Sequence, residues 1–279
     1  MIDLAVSSDG KHLVSVGQDR LLKLWDRQGK MLKSIELGAE GKRCWVTPGD
    51  GGVACIVVGE VRLYDWEGKL KSRTATGQAQ PALSPDLSVV ALYEGGLTVT
   101  RADKPADSVK RVGTENTTIR ALAASPDNQK VVLVGSSYNP ASPALPDESV
   151  AYEYDLVRKK LGAREDTNQF GSTLVAFAPD GRRAIGGNSH PDSQTTGWLH
   201  LLPKAKGIPE NWDGLIGDLS FSPDSSMLAV CEKETSLWNV RSGARICSLG
   251  MGFPVAALGN DFLVTGDEQG KMQIWEWTP

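Results

Sequence analysis

One short phrase recurs along this chain and limits what the chain can fold into. An apolar residue leads into Ser-Pro-Asp-Gly or a close variant, and apolar residues follow, as in FSPDSSMLAV (221–230) and FAPDGRRAIG (177–186). More diverged copies are VSSDGKHLVSV, VTPGDGGVACIV, LSPDLSVVAL, ASPDNQKVVLV and LGNDFLVTG. The copies follow one another at steps of 41, 36, 41, 53, 44 and 36 residues. A period of this length predicts an array of similar structural units, each packed against its neighbours.

Each copy predicts a β-hairpin with a tight turn. Proline presets φ at the second turn position, aspartate accepts a hydrogen bond from the backbone two residues on, and glycine tolerates positive φ. The flanking residues are apolar or β-branched, which favours buried strands. The acids at the turns therefore have a predicted structural role: Asp9, Asp50, Asp86, Asp127, Asp180 and Asp224, with Asn260 in the last copy.

A second pattern follows each hairpin. A strand ends on an aromatic residue followed by an acid or amide, and then comes a turn rich in Gly, Lys and Arg. The pairs are Trp25-Asp26, Tyr64-Asp65, Tyr154-Asp155, Trp238-Asn239 and Trp275-Glu276. Together with the hairpins, these pairs resemble the WD-repeat family of β-propellers over the whole chain, in a degenerate form frequent in bacteria. The resemblance implies an all-β, seven-bladed β-propeller of four-stranded antiparallel blades.

The repeats account for all 279 residues as one predicted domain. The expected blades are about 1–38, 39–76, 77–114, 115–163, 164–208, 209–250 and 251–279. The last blade lacks its outer strand within this chain. Three explanations are open: a three-stranded blade, a partner that covers the edge, or a longer polypeptide with further domains.

The resemblance also implies a polar network inside some blades, in which a histidine links a hydroxyl residue, a turn acid and the tryptophan. Blade one offers Ser15, Asp19 and Trp25, and blade seven offers Thr265, Asp267 and Trp275. Neither blade has the histidine. We therefore expect these positions to be structural and the network to be incomplete.

Composition and motifs argue against several functions. The net charge is −4, so nothing draws the chain to nucleic acid or to an anionic membrane. No apolar run approaches a membrane span, and the N-terminus is not a signal peptide, which predicts a cytoplasmic protein. The four cysteines and three histidines are scattered, which predicts buried free thiols, with a disulfide as the alternative, and no metal site. With no phosphate loop and no nucleophile elbow, we predict no catalytic residue, no cofactor and no enzymatic activity.

The predicted binding site lies where the repeat breaks its period. Blades four and five carry long loops between their second and third strands, at 134–150 and 186–198. Insertions on one face of a repeat protein often mark the binding face. The candidates for partner contact are Tyr138, Asn139, Pro140, Phe170, His190, Trp212, Glu232 and Glu268. The alternatives are that the loops have no role and that Trp212 packs between blades.

Acids on short loops of the same face, among them Glu60, Glu94, Glu232 and Glu268 with Asp19 and Asp267, favour a partner with a basic segment. The leading hypothesis is a non-catalytic scaffold for one or more proteins or peptides. The alternative is a sensor or substrate-binding propeller domain of a larger signalling protein or enzyme. A propeller enzyme or small-ligand binder is the least favoured hypothesis.

Overall fold

The computed structural model describes residues 1–47, 51–76, 80–84, 89–94, 96–101, 104–109, 116–141, 148–170, 172–188, 197–203 and 207–277. For strand residues 80, 83, 89, 92, 100–101, 104–109 and 166–170 it describes the backbone alone. The predicted turn acids Asp50 and Asp86 and the predicted contact residue His190 lie outside the described residues.

Seven antiparallel sheets follow one another along the chain, and most have four strands. The described residues contain no helix, so the predicted all-β class is confirmed. In particular, none of them forms a helix long and apolar enough to span a membrane. The sheets correspond to the seven repeats and are called blades one to seven.

The sheets fall into two compact units. The first unit comprises Met1–Gln78, Gly217–Val240 and Arg245–Pro279. Its blades one and two hold β1 (Asp3–Val6), β2 (His12–Val16), β3 (Leu21–Asp26), β4 (Met31–Glu36), β5 (Gly41–Val46), β6 (Val53–Val57), β7 (Glu60–Tyr64) and β8 (Leu70–Ala75). The second unit comprises Ala79–Ile216 and Arg241–Ala244. Its blades three and four hold β9 (Gln80–Leu83), β10 (Val89–Tyr93), β11 (Leu97–Arg101), β12 (Lys104–Val109), β13 (Thr117–Ala124), β14 (Lys130–Ser137), β15 (Glu148–Asp155), β16 (Lys160–Leu161) and β17 (Glu165–Phe170).

The remaining strands complete both units. Blade five, in the second unit, holds β18 (Ser172–Phe177), β19 (Arg183–Asn188), β20 (Gly197–Leu202) and β21 (Asn211–Trp212). The first unit contains the strands of blades six and seven, which are β22 (Asp218–Phe221), β23 (Met227–Cys231), β24 (Ser236–Asn239), β25 (Arg245–Ser248), β26 (Val255–Leu258), β27 (Phe262–Gly266) and β28 (Met272–Glu276). As expected, blade seven has three strands in the described part of the chain.

Two segments that the sequence predicts to be connections between blades contain β-strands in the structure. Residues 161–171 contain β17, which pairs with β15 of blade four. The short β16 covers only the Tyr154 and Asp155 positions of β15, so β17 satisfies backbone groups along the rest of that edge. Residues 205–217 likewise contain β21, the fourth strand of blade five, which pairs with β20. Blade five therefore begins after residue 171 and extends to Trp212.

Position within the blade determines how deeply a strand is buried. The second strands β6, β23 and β27 have every residue buried, whereas the fourth strands β4, β8 and β25 are almost entirely exposed. Facing blades share apolar clusters: blades one and two, six and seven, and seven and one in the first unit, and three and four, and four and five in the second. Each fully buried Leu or Phe in these clusters stabilises the fold by about 1.5–3 kcal/mol.

The predicted turn acids behave as expected wherever they are described. In blades one, four, five and six, the aspartate Oδ1 accepts the N–H two residues on, at 3.0–3.1 Å. The sequence interpretation missed the serine two residues earlier. Ser7, Ser125 and Ser222 are buried, donate to the aspartate, and accept an N–H from the residue five positions on. Blade five has Ala178 in place of the serine, and its turn is one residue shorter. The Ala178 N–H donates to the carbonyl four residues on, whereas the Ser7 N–H donates to the carbonyl five residues on.

Ser222→Ala is expected to lower the free energy of unfolding by about 1–3 kcal/mol, because the Met227 N–H stays buried without its acceptor. Urea unfolding followed by tryptophan fluorescence measures the change. Ser34→Ala, in the exposed strand β4, is the control and should shift the free energy by less than about 0.5 kcal/mol. Equal losses in the two variants would contradict a special role for the turn serine.

The acids that end the third strands are also structural. Asp26 accepts N–H groups from Gln28 and Lys30, and Asp65 accepts one from Lys69. Asp155 accepts from Val157 and Arg158 in the same way. Each carboxylate therefore closes the turn that follows its own strand, as the sequence predicts.

Candidate protein-interaction site

A cleft of about 570 Å³ lies between blades one and seven, within the first unit. One wall is formed by β2, β3 and the turn between them. The other wall is formed by Pro254 and the turn Glu268–Gly270 between β27 and β28. Two predicted residues, Asp19 and Glu268, come from opposite walls, although 249 positions separate them in the chain.

The cleft has a rigid aromatic wall. The Trp25 indole Nε1 donates to Ser15 Oγ at 3.0 Å, and Ser15 is buried. Trp275 donates to Thr265 Oγ1 in the same way at 3.0 Å. The tryptophan–hydroxyl half of the predicted network is thus present in both blades.

The acids predicted for that network instead close turns. Asp267 Oδ1 accepts the Lys271 N–H at 2.7 Å, and Asp19 Oδ1 accepts the Leu21 N–H at 3.2 Å. Asp19 Oδ2 also pairs with Lys23 Nζ at 2.6 Å. Burial by itself would raise the pKa of Asp19, but the hydrogen bonds from Lys23 and Leu21 lower it overall. Asp19 and Lys23 therefore form a neutral pair on this wall.

Glu268 differs from Asp19 in having no partner. Its side chain is exposed and forms no hydrogen bond or ion pair with any described residue. The cleft is thus lined by the Trp25 ring and by four charged groups: the Asp19–Lys23 pair, the Met1 ammonium, which donates to the Asp267 carbonyl, and the exposed Glu268 carboxylate. Such a surface suits a cationic side chain with an apolar stem, since the stem covers the ring and the charge meets the carboxylate.

Some of the other predicted loop acids form ion pairs or contacts within the fold. Glu60 pairs with Arg62 at 2.5 Å and lies 3.6 Å from Arg73. Glu232 is half-buried and has contacts within the fold. Glu94 is exposed but belongs to the second unit. Of the predicted acids, Asp19 and Glu268 are the two brought together in the cleft.

The start of the long blade-four loop is described and is ordered by its own backbone. The Tyr138 N–H donates to the Asn116 carbonyl at 3.0 Å, and Asn139 Oδ1 accepts the Ala141 N–H at 3.0 Å. The Tyr138 ring is 41% exposed, so it can contact a partner. Asn139 and Pro140 are exposed beside it. Residues 142–147 of this loop and 189–196 of the blade-five loop lie outside the described residues.

The structure removes Trp212 from the accessible candidates. The indole is 6% exposed, its Nε1 donates to the Pro209 carbonyl at 3.0 Å, and its backbone pairs with Gly197. Trp212 is thus buried in the edge strand of blade five rather than presented to a partner. The Phe170 backbone forms the last position of β17, and its side chain lies outside what the structure describes.

Sequence reasoning missed a group of charged residues on first strands of the first unit. Asp3, Arg43 and Asp218 each lie four positions before the serine or threonine that begins the hairpin turn, which is the buried Ser7, the half-buried Thr47 or the buried Ser222. Asp3 Oδ2 accepts the Cys44 N–H at 2.8 Å, and Asp218 Oδ2 accepts the Ala256 N–H at 3.1 Å. Both carboxylates thus join neighbouring blades. The shared spacing was a signal that could have identified them.

These acids have perturbed proton affinities. Burial and, to a smaller extent, the nearby Asp3 charge raise the pKa of Asp218 to about 7, against the opposing effects of the Ala256 N–H and of Arg43. Burial likewise raises the pKa of Asp3. No group of three or more His, Cys, Asp or Glu residues in the described part of the chain could hold a metal ion. All four cysteines are free, including Cys44 and Cys55, which face each other across β5 and β6.

Comparison with known proteins agrees with the blade structure. The family model described as WD domain, G-beta repeat matches residues 2–26, which are the first three strands of blade one. A solved structure described as Kuenenia stuttgartiensis Hydrazine Synthase superposes with a TM-score of 0.76 at 13% identity, covering 99% of this chain and 95% of that chain. At this identity the likeness concerns the fold alone. No curated protein matches the chain.

Seven successive antiparallel sheets define the class of this protein as an all-β fold of the β-propeller type, and the match to a WD repeat covers its first blade. Proteins with such repeats are commonly interaction scaffolds. The residues that bear on a role of this kind are those of the cleft between blades one and seven and those of the exposed blade-four loop.

Proposed function

We propose that this protein is a non-catalytic scaffold that binds another protein through the cleft between blades one and seven. The observation that carries the proposal is the exposed Glu268 carboxylate, which has no ion-pair partner among the described residues and lies opposite the wall formed by Trp25, Leu21 and the Asp19–Lys23 pair. The walls belong to well-packed sheets, so a partner would meet a preformed surface and lose little free energy in ordering it.

The proposed partner presents a lysine or arginine in an extended or loop segment. Its aliphatic stem would lie against Trp25, and its charge would meet Glu268. The Tyr138 loop in the second unit is a second candidate contact, because an exposed tyrosine is a frequent interface anchor. The sensor or substrate-binding alternative stays a prediction, since the likeness to an enzyme structure concerns only the fold.

The test compares three forms of the tagged chain in a quantitative pull-down from the source cells. Glu268→Arg should reduce recovery of the partner at least about tenfold, because it places like charges together. Gln269→Trp should fill the cleft without changing its charge and should reduce recovery similarly.

Glu67→Arg is the matched control, because Glu67 is also an exposed turn glutamate but lies in blade two, outside the cleft. It should retain the partner at the level of the unaltered chain. Equal recovery by all forms would exclude the cleft as the binding site, and replacement of Tyr138 by alanine would then test the blade-four loop.

A further inference from the structure

A recurring row of three side chains faces the preceding blade at most blade junctions. In blade one, Val6, Leu13 and Trp25 lie directly opposite one another on β1, β2 and β3, so their side chains share one face. The strand registers give the equivalent rows Val46–Val53–Tyr64, Ala124–Val131–Tyr154, Phe221–Leu228–Trp238 and Leu258–Leu263–Trp275. All five rows have an aliphatic residue in the second strand and an aromatic residue in the third.

Blade five departs from this row. Its three residues are Phe177, Arg183 and Leu202, which lie opposite one another on β18, β19 and β20. An arginine therefore stands where the other rows have a buried leucine or valine, and a leucine stands where they have tryptophan or tyrosine. Because leucine is the smaller side chain, the row leaves space beside its third strand.

The residue that meets Arg183 across the junction is also an exception. Glu153 of blade four stands directly before the aromatic residue of its strand, where blades one and six have the buried Leu24 and Leu237. The Glu153 carboxylate pairs with Arg183, whose side chain is only 13% exposed. Apolar residues in place of a buried ion pair commonly stabilise a fold as well or better, so packing alone does not account for these charges.

A cavity of about 410 Å³ lies at this junction, within the second unit. Its apolar lining comprises Phe177 and Leu202, which pack against the shared cluster of blades four and five, and the turn prolines Pro126 and Pro179. Ligand sites commonly enclose about 300–1,000 Å³ and combine apolar walls with a few fixed polar groups. The departure of blade five from the common row thus coincides with a cavity of ligand size.

Most charges of the cavity are compensated within the fold. Glu153 Oε1 lies 2.9 Å from Lys130 Nζ, and Glu153 Oε2 lies 3.3 Å from Arg183 Nη1. Arg183 Nη2 lies 2.6 Å from the Glu165 carboxylate. Asp180, on the blade-five turn, pairs with Arg182 at 2.6 Å.

Asp127, on the blade-four turn, differs from these groups because it has no ion-pair partner among the described residues. Its Oδ1 accepts the Ser125 hydroxyl at 2.6 Å and the Gln129 N–H at 3.0 Å. The Ser125 hydrogen bond lowers the pKa of Asp127 against the opposing effect of burial, and the Gln129 N–H lowers it further. The cavity therefore has an excess negative charge at its mouth, beside apolar walls.

We propose that the cavity between blades four and five binds an arginine side chain of a partner protein. This site is additional to the proposed cleft and lies in the other unit. The arginine stem would cover Phe177 and Pro126, and its guanidinium would meet Asp127. Arginine suits a partly enclosed site better than lysine, because its guanidinium is less strongly hydrated and stacks on an aromatic ring. An anion would meet Asp127 and compete with Glu153 for Lys130 and Arg183, which disfavours it.

The probe is N-acetyl-arginine amide, in which the side chain carries the only charge, titrated to about 10 mM into the intact chain. The backbone amide resonances of Asp127 and Gly181, one on each turn of the cavity, should shift and saturate with a dissociation constant of about 1 mM. N-acetyl-citrulline amide has nearly the same shape without the charge and should bind at least about tenfold more weakly. Equal binding of the two compounds, or no shift at either amide, would overturn the proposal. Tighter binding of cadaverine would indicate a free amine as the ligand and would also contradict it.

Two variants locate the binding through the Gly181 amide. Leu202→Trp restores the aromatic residue of the common row, fills the cavity at constant charge and should weaken binding at least about tenfold. Asp127→Asn keeps an oxygen for the turn hydrogen bonds, removes the charge and should weaken binding about fivefold. Full binding by Leu202→Trp would exclude this cavity.

The matched control is Asp224→Asn, in the equivalent turn of blade six, where Asp224 also accepts a serine hydroxyl and the N–H two residues on. It should change binding less than about twofold, and a loss equal to that of Asp127→Asn would contradict a local role for Asp127. Glu268→Arg should leave the Gly181 shifts unchanged, so failure of the cleft and failure of this cavity can be distinguished.

Discussion

Phe262→Ala is expected to lower the free energy of unfolding by about 3–5 kcal/mol, because it leaves a cavity in a closely packed cluster. The Phe262 ring is 0% exposed and lies between blades seven and one. The Gly10 turn packs on its edge, and the Arg27 guanidinium lies 4.6 Å from its centroid. Arg27 also pairs with Asp261 at 2.7 Å, so the ring supports an interblade ion pair.

Urea unfolding at constant pH measures this loss, and the midpoint should fall without a large change in slope. Leu32→Ala is the control, because Leu32 is 49% exposed in β4 of the neighbouring blade. It should cost less than about 1 kcal/mol. A similar small cost for Phe262→Ala would mean that the junction of blades one and seven contributes little to the stability of the first unit.

Asp218→Asn is expected to stabilise the protein at pH 8 and to have little effect near pH 4. The pKa of Asp218 is about 7 in the folded chain and near 3.8 when unfolded. The folded state therefore binds an additional proton between about pH 4 and 7, and the stability of the unaltered chain falls as the pH rises through this window. Asparagine cannot ionise, so the variant avoids that loss. The gain at pH 8 is at most about 4 kcal/mol, which is the free-energy equivalent of the difference between the folded and unfolded pKa values of this carboxyl group.

Asp9→Asn is a control with the opposite sign. Hydrogen bonds from the Lys11 backbone and the Ser7 hydroxyl lower the pKa of Asp9 to about 2. Its contribution to stability is present above about pH 4 and is lost as the pH falls toward 2. Asp9→Asn should therefore destabilise the protein at pH 8, and the loss should shrink in acid. If both variants showed the same pH dependence, a general charge effect would explain the data better than these two local environments.

Local features of this propeller could be predicted from the sequence because their partners are close in the chain. The Asp9 carboxylate meets an N–H two residues away, and the Trp25 indole meets a hydroxyl ten residues away. Such contacts depend on turn geometry and strand register, which residue types determine directly. The all-β class and the turn acids were predicted on this basis.

The candidate site could be predicted only in part. Asp19 and Glu268 were identified as loop acids, but the sequence could not show that Lys23 neutralises the first and that the second has no ion-pair partner among the described residues. Trp212 was expected to be accessible because it lies in a connection, whereas pairing with Gly197 buries it. Electrostatic pairing and burial depend on which segments become neighbours, and that information is not local.

The sequence by itself determined the repeat, the hairpin turns and the polar or apolar character of each strand, because these follow from side-chain chemistry over ten residues or fewer. Only the tertiary structure decided which blades share a cleft and how the charges of Asp3, Arg43 and Asp218 come to influence one another. These features require residues from different blades to meet, as Asp3 meets Cys44, 41 positions away, and Asp218 meets Ala256, 38 positions away. Packing between whole sheets brings such residues together, and no short stretch of sequence contains that information.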